Sequence, residues 1–402
     1  MEAYLLDWLS LLGRWLHVTA GIAWIGASFY FVWLDNHLLE PASKDSIDAG
    51  VRGELWAMHG GGFYHAQKYR VAPAALPGTL HWFYWEAYTT FLSGFFLLAL
   101  LYYGHAEIYL IDPNVAALSK PAAITIGLTF LAGTWLIYDL LCRSTLGKND
   151  RALSIVIAVL LAVEAWALCH LFSGRGAFIQ FGAALGTVMV ANVFFVIIPG
   201  QRELVKAKQE NREPDPIHGI RGKQRSVHNT YFTLPVLFAM ISHHYAMTYG
   251  AIHNWLVLIG MCIAGAAIRT WFVLRHKAHE RSGRTSPVPA AIGVVTLAIV
   301  AFALAPGRPS AAAATSQAQS FDHIQNIFRD RCQPCHSATP TQPGFVAAPN
   351  GVLLDSPEQI AARLAQTRQQ LTARTMPIGN LTGMTEEERT AIIAWIDHGA
   401  PR

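Results

Sequence analysis

Eight predominantly apolar stretches are the feature that most constrains how this chain of 402 residues can fold. A helix that crosses a bilayer needs about 20 consecutive, mainly apolar residues. The stretches are 8–34, 82–103, 122–141, 152–172, 178–198, 230–249, 255–274 and 290–305, of which the last is short. Charged residues make up 14% of the chain, against about 25% in an ordinary soluble domain. We therefore expect an all-α fold, with a polytopic membrane bundle of about eight transmembrane helices over residues 1–305.

The connections between these stretches differ in charge. Those after the third, fifth and seventh stretches are rich in Lys and Arg, whereas those after the second, fourth and sixth contain only Lys120 and Arg175. Connections that stay in the cytoplasm retain positive charge. We therefore expect a multi-pass protein of the bacterial inner membrane, with the N-terminus and the C-terminal segment in the periplasm and the bundle in contact with lipid.

The chain changes character after the eighth stretch. Residues 306–320 are rich in Ala, Ser and Pro and lack periodicity, which is typical of a flexible linker. Residues 321–402 are amphipathic and ordinary in charge. This length is sufficient for a small domain in which a large prosthetic group forms part of the core.

The sequence CQPCH, with Cys332, Cys335 and His336, is the attachment signature of a c-type haem. The two thiols can form thioethers with the haem vinyl groups, and His336 is placed to ligate the iron. A zinc site would need further ligands, but the only Cys or His downstream is His398. A redox dithiol would not need His336. Haem attachment in the periplasm agrees with the side of the membrane that the charge pattern indicates.

Two methionines downstream are candidates for the second axial ligand of the iron. Met376 precedes Pro377, which favours an extended backbone at the Met. Met384 precedes Thr385 and Glu388, a capping-box pair that predicts the start of the last helix, so packing on that helix accounts for it. We expect Met376 to ligate the iron, because a Met ligand raises the potential as in electron-transfer cytochromes.

Ionisable residues within apolar stretches are costly and are therefore functional candidates. Glu86, Asp139 and Arg269 fall in the predicted cytoplasmic half. Arg269 either reaches the membrane surface or clamps a planar anion, for which a guanidinium is well suited. Three histidines lie toward the predicted periplasmic side: His17, His243 and His244. They either form hydrogen bonds with neighbouring residues or hold a b-type haem.

The first connection contains HGGGFYH, in which His59 and His65 flank three glycines. Glycines allow a backbone to approach a ligand closely, so this segment is either a binding site or a tight loop with incidental histidines. The aromatic run HWFYWEAY, 81–88, follows it. These rings either form an interfacial belt, the safer interpretation, or stack on a flat heterocycle. No basic run is interleaved with aromatics outside the apolar stretches, so we expect no nucleic-acid partner.

The C-terminal segment resembles small class I cytochromes c. The resemblance rests on an opening helix FDHIQNIFRDRC, the CQPCH site, a Met-Pro loop and a closing helix TEEERTAIIAWIDHGA. It implies that Phe321 or Phe328 packs against Trp395.

The whole chain resembles the bacterial membrane-bound urate oxidases, also called urate hydroxylases. The segments that carry this resemblance are GRWLHVTAGIAWIGASFYFVWLDNHL, HGGGFYHAQKY, PGTLHWFYWEAYTTFLSGF and the CQPCH region. It implies oxidation of urate to 5-hydroxyisourate, with haem c attached at Cys332, Cys335, His336 and Met376, the last two binding the iron. The implied electron acceptor is a downstream cytochrome oxidase or soluble cytochrome c.

The alternative to an enzyme is a non-catalytic subunit that relays electrons from quinol to a cytochrome. A relay would use pairs of histidines at two depths, whereas the sequence offers one pair and a polar glycine-rich loop. We therefore expect an oxidoreductase acting on urate or a similar planar anion, with Arg269, His59, His65, Glu86 and Asp139 as candidates for its site.

Overall fold

The computed structural model describes residues 2–280, 285–305 and 321–401, and most of these residues are helical. The linker predicted at 306–320 lies outside the described residues. The helices of the first part are α1 (Glu2–Asn36), α2 (Lys44–Asp48), α3 (Trp85–Leu97), α4 (Ala106–Tyr109), α5 (Lys120–Arg143), α6 (Asp150–Leu171), α7 (Gly174–Asn192), α8 (Ile198–Gln209), α9 (Pro216–Ile241), α10 (Ala246–Tyr249), α11 (Asn254–Glu280) and α12 (Val288–Ala303). Residues 321–401 add α13 (Phe321–Ile327), α14 (Pro357–Ala361), α15 (Leu364–Thr372) and α16 (Glu386–Asp397).

Within the described residues, five helices are long and apolar enough to cross a membrane, against the eight predicted. They are Tyr4–Asn36, Lys120–Arg143, Asp150–Leu171, Gly174–Gln209 and Asn254–Arg275. The fourth is continuous because a π-helical turn, Val193–Ile197, joins α7 to α8.

The three remaining predicted spans are helical but differ from a simple membrane helix. α3 continues into a π-helical segment, Leu98–Tyr103. α9 begins at Pro216, within the basic connection, and ends at Ile241, short of the predicted end at 249. α12 has only 16 residues, which agrees with the short eighth stretch.

The all-α prediction is wrong for one segment. Strands β1 (Val51–His59) and β2 (Gly62–Tyr69) form an antiparallel hairpin, in which His59 pairs with Gly62. Gly60 and Gly61 have φ values of +57° and +82°. A two-residue turn with both φ values positive matches the twist of a hairpin and strongly favours glycine.

The core of the first part is centred on α7, which packs against α5, α6 and α9. Its buried side chains include Phe178, Phe181 and Leu185, together with the small residues Gly182 and Ala184. Polar caps begin the neighbouring helices: Ser119 accepts from Ala122 N at α5, and Asn149 accepts from Ala152 N at α6. α1 packs on α3, and α11 packs on α9 and α12.

Residues 321–401 have a separate apolar cluster. Trp395 of α16 contacts Phe321 at 5.9 Å and Phe328 at 6.4 Å between ring centroids, so the predicted contact of the first and last helices is confirmed. Thr385 and Glu388 form both hydrogen bonds of the predicted capping box at the start of α16. Met384 is buried in the same cluster.

Candidate functional site

A cavity of about 670 Å³ lies between α1, the segment before α3, and α9. We call it the aromatic cavity, because its lining includes Trp24, Phe31, Trp82 and Phe83. Phe31 and Phe83 meet edge to face at 5.0 Å. Ligand pockets of about 300–1,000 Å³ are typically apolar with a few convergent polar groups. The predicted aromatic run therefore lines a cavity of suitable size for a flat heterocycle.

Glu86 is the predicted candidate that lines the aromatic cavity. It lies in the first turn of α3, where the positive end of the helix dipole favours a carboxylate. Its carboxylate has no hydrogen-bond or ion-pair partner among the described residues, so it is available to a ligand. Gln201, Ser226 and Asn229 add amide and hydroxyl groups to the same lining.

α9 separates the aromatic cavity from a second, larger one. Ser226, Asn229 and Thr233 line the aromatic cavity. Arg225 and His228 of the same helix line a cavity of about 1710 Å³, which we call the basic cavity. Side chains three and four positions apart share one helix face, so α9 presents one polar face to each cavity.

Buried hydrogen bonds connect the two faces of α9. Asn192 Nδ2 donates to Asn229 Oδ1 at 2.9 Å and to the Tyr138 hydroxyl at 3.1 Å. The Tyr138 hydroxyl also lies 2.7 Å from His228 Nδ1. This chain of contacts links the lining of the aromatic cavity to that of the basic cavity.

Asp139, next to Tyr138 in the sequence, forms ion pairs through both of its carboxylate oxygens. Its Oδ1 accepts from Arg225 Nη2 at 2.7 Å and its Oδ2 from Arg143 Nε at 2.6 Å. Because both oxygens are occupied by guanidinium groups, Asp139 holds α5 to α9 and is not available to a substrate. The structure therefore favours a structural role for this predicted candidate.

Arg269 is buried on α11, and its guanidinium lies 3.7 Å from the centre of the Phe29 ring. It is not among the residues that line either cavity. The structure therefore does not bring the predicted clamp to the aromatic rings and Glu86. A cation over an aromatic face accounts for its position within the bundle.

His59 and His65 lie on the hairpin and line neither cavity. His65 stacks on Trp56 at 4.2 Å, and its Nε2 lies 3.1 Å from Glu54. The Ala42 backbone N–H, followed by His65, lowers the pKa of Glu54 below its usual value. These contacts favour the interpretation of HGGGFYH as a tight loop, and the glycines serve the hairpin turn.

The predicted membrane histidines have other neighbours. His17 Nδ1 lies 2.9 Å from the Thr90 carbonyl oxygen. His243 Nε2 lies 3.4 Å from Arg14 Nη1, and the rings of His243 and His244 are 3.9 Å apart. A guanidinium next to the nitrogen that would ligate iron does not fit a bis-imidazole site. The b-type haem stays a prediction, and these contacts do not favour it.

The CQPCH segment forms a tight turn. The Cys332 carbonyl oxygen accepts from Cys335 N at 3.2 Å and from His336 N at 2.9 Å. His336 Nδ1 lies 3.0 Å from the Val352 carbonyl oxygen. A hydrogen bond of this kind fixes the imidazole tautomer and leaves Nε2 for a metal. The residues therefore fit the attachment of a haem, with the ring already oriented.

The pKa values of the two thiols in this turn do not favour a redox dithiol. Burial raises the pKa of Cys332 to about 12 and also raises that of Cys335, whereas redox-active cysteines have lowered pKa values. Within the part of the chain that the structure describes, no group of three or more His, Cys, Asp or Glu side chains is arranged to hold a metal ion.

Two further observations bear on which methionine would bind the haem iron. Met384 is 4% exposed and packed in the apolar cluster of residues 321–401, so packing accounts for it. Met376 is partly exposed in the loop before α16, and its carbonyl oxygen accepts from Arg389 Nη1 at 2.7 Å. This arrangement leaves Met376 as the candidate ligand.

Several residues of the aromatic cavity were missed from the sequence. Trp24, Val193 and Asn229 come from three helices that are far apart in the chain. The available signal was Asn229, a polar residue at the edge of an apolar stretch. Val193 belongs to the π-helical turn between α7 and α8, and such turns are frequent at functional sites, but periodicity in one sequence does not reveal them.

Comparison with known proteins gives one result. A family model described as urate oxidase N-terminal matches residues 3–305. No curated protein and no solved structure gives a significant match. The matched range is more than half of the chain and contains both cavities, whereas the CQPCH segment lies beyond it. The chain therefore belongs to the urate oxidase N-terminal family.

Proposed function

We propose that this protein oxidises urate to 5-hydroxyisourate in the aromatic cavity and passes the electrons to a c-type haem held by residues 321–402. The observation that carries the proposal is the family match over residues 3–305. The aromatic cavity supports it as a place for a planar purine, and the CQPCH turn supports it as a place for an electron acceptor. The reaction class is that of an oxidoreductase.

Aromatic faces and polar groups would hold urate. Trp24 of α1 and Trp82, just before α3, both line the cavity, and their rings can stack on a planar ligand. Gln201 and Ser226 offer hydrogen bonds to the purine carbonyl groups. No Lys or Arg is among the described residues that line this cavity. Recognition would therefore depend on stacking and hydrogen bonds and not on an ion pair.

Glu86 would act as the base. An ionised carboxylate only accepts hydrogen bonds, and the ring N–H groups of urate are donors. As the urate monoanion loses two electrons, Glu86 takes one N–H proton, which leaves neutral dehydrourate. Water then adds, with its oxygen bonding to C5 and one hydrogen going to a ring nitrogen. The balance is urate monoanion plus water to 5-hydroxyisourate, one proton and two electrons.

The residues that would hold haem c are Cys332 and Cys335, through thioethers, and His336 and Met376, through the iron. When bound, this group supplies a one-electron acceptor, so each urate requires two transfers. The Val352 carbonyl oxygen would keep the His336 ring oriented. We further propose that residues 321–402 lie in the periplasm of a bacterial inner membrane, where a downstream cytochrome oxidase or soluble cytochrome c accepts the electrons.

Replacement of one attachment cysteine tests the haem assignment. We expect Cys332→Ser to lose covalent haem, seen as loss of peroxidase staining on a denaturing gel, and to keep urate binding. Cys262→Ser, a cysteine in α11, is the matched control and should keep the stain. Covalent haem retained at full level in Cys332→Ser would contradict the assignment.

A further inference from the structure

We propose that the basic cavity binds a diacyl phospholipid with an anionic headgroup. This site is distinct from the aromatic cavity and goes beyond the proposed urate chemistry. The cavity of about 1710 Å³ is larger than the 300–1,000 Å³ of typical small-ligand pockets. It lies between α6, α9 and α11 and the basic connection that joins α5 to α6.

The polar end of the cavity is strongly positive. One acidic residue, Asp150, is among the described residues that line it. The cations of the lining are Arg143, Lys148, Arg151, Arg221, Lys223 and Arg225. Basic pockets between transmembrane helices are places where anionic lipid headgroups bind.

Part of this positive charge has no internal partner. Arg143 pairs with Asp139, and Lys223 lies 3.6 Å from Asp35. Three other cations of the lining, at what we call the rim of the cavity, are Lys148, Arg151 and Arg221. None of them has a carboxylate within ion-pair distance among the described residues. A phosphate group at the rim would neutralise this charge.

The deep end of the polar region contains an unsatisfied donor. Arg225 is 3% exposed, and its Nη2 donates to Asp139. Its buried Nη1 has no hydrogen-bond partner among the described residues. Its guanidinium carbon lies 4.9 Å from the centre of the Tyr138 ring, an arrangement that favours a cation, so Arg225 adds buried positive charge to the cavity lining.

Much of the remaining lining is apolar, and several of these side chains are exposed. Ile155 and Val159 of α6 and Ile263 of α11 line the cavity and are 65%, 58% and 48% exposed. Both helices are among those apolar enough to cross a membrane, so acyl chains can lie along them. A small soluble anion would leave this wall uncovered, and a neutral quinone would leave the cations unpaired. A phospholipid satisfies both regions.

Competition between two lipids tests the proposal. The full chain, purified in detergent, is incubated with equal amounts of phosphatidylglycerol and phosphatidylcholine that have the same acyl chains, and bound lipids are counted by native mass spectrometry. We expect the wild type to retain phosphatidylglycerol preferentially. The double variant Arg151→Gln, Arg221→Gln should lose roughly tenfold of this preference, because each cation near a phosphate contributes several-fold.

The matched control is Arg52→Gln, Lys208→Gln, which removes the same charge outside the cavity and should keep the preference. Equal loss in the control would show general surface attraction and overturn the proposal. Equal retention of both lipids by the wild type would also overturn it. Displacement of the lipid by glycerol 3-phosphate at similar concentration would show a small-anion site and contradict the assignment to a phospholipid.

Discussion

At the scale of single residues, Glu86 shows what can be predicted from one sequence. Its position within an apolar stretch makes it costly and therefore a candidate. The same argument selects Asp139 and Arg269, yet the structure pairs Asp139 with two guanidinium groups and places Arg269 over Phe29. Arg143, four residues after Asp139 on the same helix, is a local signal of pairing, whereas Arg225 and Phe29 come from other helices and a single sequence does not reveal them.

The base assigned to Glu86 predicts a separation of binding from turnover. We expect Glu86→Gln to keep urate affinity within a few-fold, since an amide still hydrogen-bonds, and to lower kcat by roughly 10²–10⁴, the usual contribution of a positioned base. Steady-state kinetics and equilibrium binding measure the two effects. Glu213→Gln, an exposed residue, is the control. An unchanged kcat in Glu86→Gln would remove Glu86 from the mechanism.

Arg269 gives the opposite prediction. Because Arg269 does not line the aromatic cavity, Arg269→Ala should leave the apparent affinity for urate unchanged within about twofold. Urate titration of the purified variant measures this. A large fall in affinity, in a variant that keeps its unfolding midpoint, would restore the anion clamp that the sequence suggested.

Tyr138 tests the hydrogen bonds that connect the cavities. Tyr138→Phe leaves His228 Nδ1 and one Asn192 N–H without this partner. An unsatisfied buried polar group costs about 1–3 kcal/mol, so the free energy of unfolding should fall by about that amount. Tyr64→Phe, on the exposed hairpin, should change it by less than about 0.5 kcal/mol. The free energies are measured by chemical unfolding. If Tyr138→Phe and Tyr64→Phe lowered the free energy of unfolding equally, the buried hydrogen bonds of Tyr138 would not contribute to stability.

At the scale of elements, the hairpin was the main error, although a signal for it exists. Two glycines between segments with strand-like residues, LWAMH and GFYHA, are typical of a two-residue hairpin turn. The sequence interpretation, which left a binding site and a tight loop open for HGGGFYH, did not apply this local rule. By contrast, the start of α16 was predicted correctly, because a capping box is a short-range pattern that needs no partner from elsewhere in the chain.

The contact between α15 and α16 predicts a pH dependence. Arg368 donates two hydrogen bonds to Asp397 and lowers the pKa of that carboxyl below its usual 3.8. A group whose folded pKa is lowered stabilises above its unfolded pKa and loses this contribution as the pH falls. In thermal melts followed by circular dichroism, the wild type should have a higher melting temperature than Asp397→Asn near pH 7. This difference should vanish well below pH 3.8. A difference independent of pH would contradict the ion pair.

At the level of the whole molecule, hydropathy predicted that residues 1–305 are mostly helical, but not how many helices are long and apolar enough to cross a membrane. Five helices meet the length and composition of a membrane helix in the described residues. The others are interrupted by π-helical turns, extended into a basic segment, or short. Such departures arise from packing between helices, which a single apolar profile does not contain. The same packing assembles the aromatic cavity from α1, α7 and α9.

In the proposed reaction, urate oxidation in residues 3–305 reduces a haem held by residues 321–402. The decisive experiment mixes the purified full-length protein with urate in the absence of oxygen. Urate absorbance and the reduced c-haem band are followed together. We predict loss of urate with reduction of about two haems per urate, since the oxidation releases two electrons and c haem accepts one at a time. If neither signal changes while a quinol reduces the haem, the protein is an electron relay and does not oxidise urate.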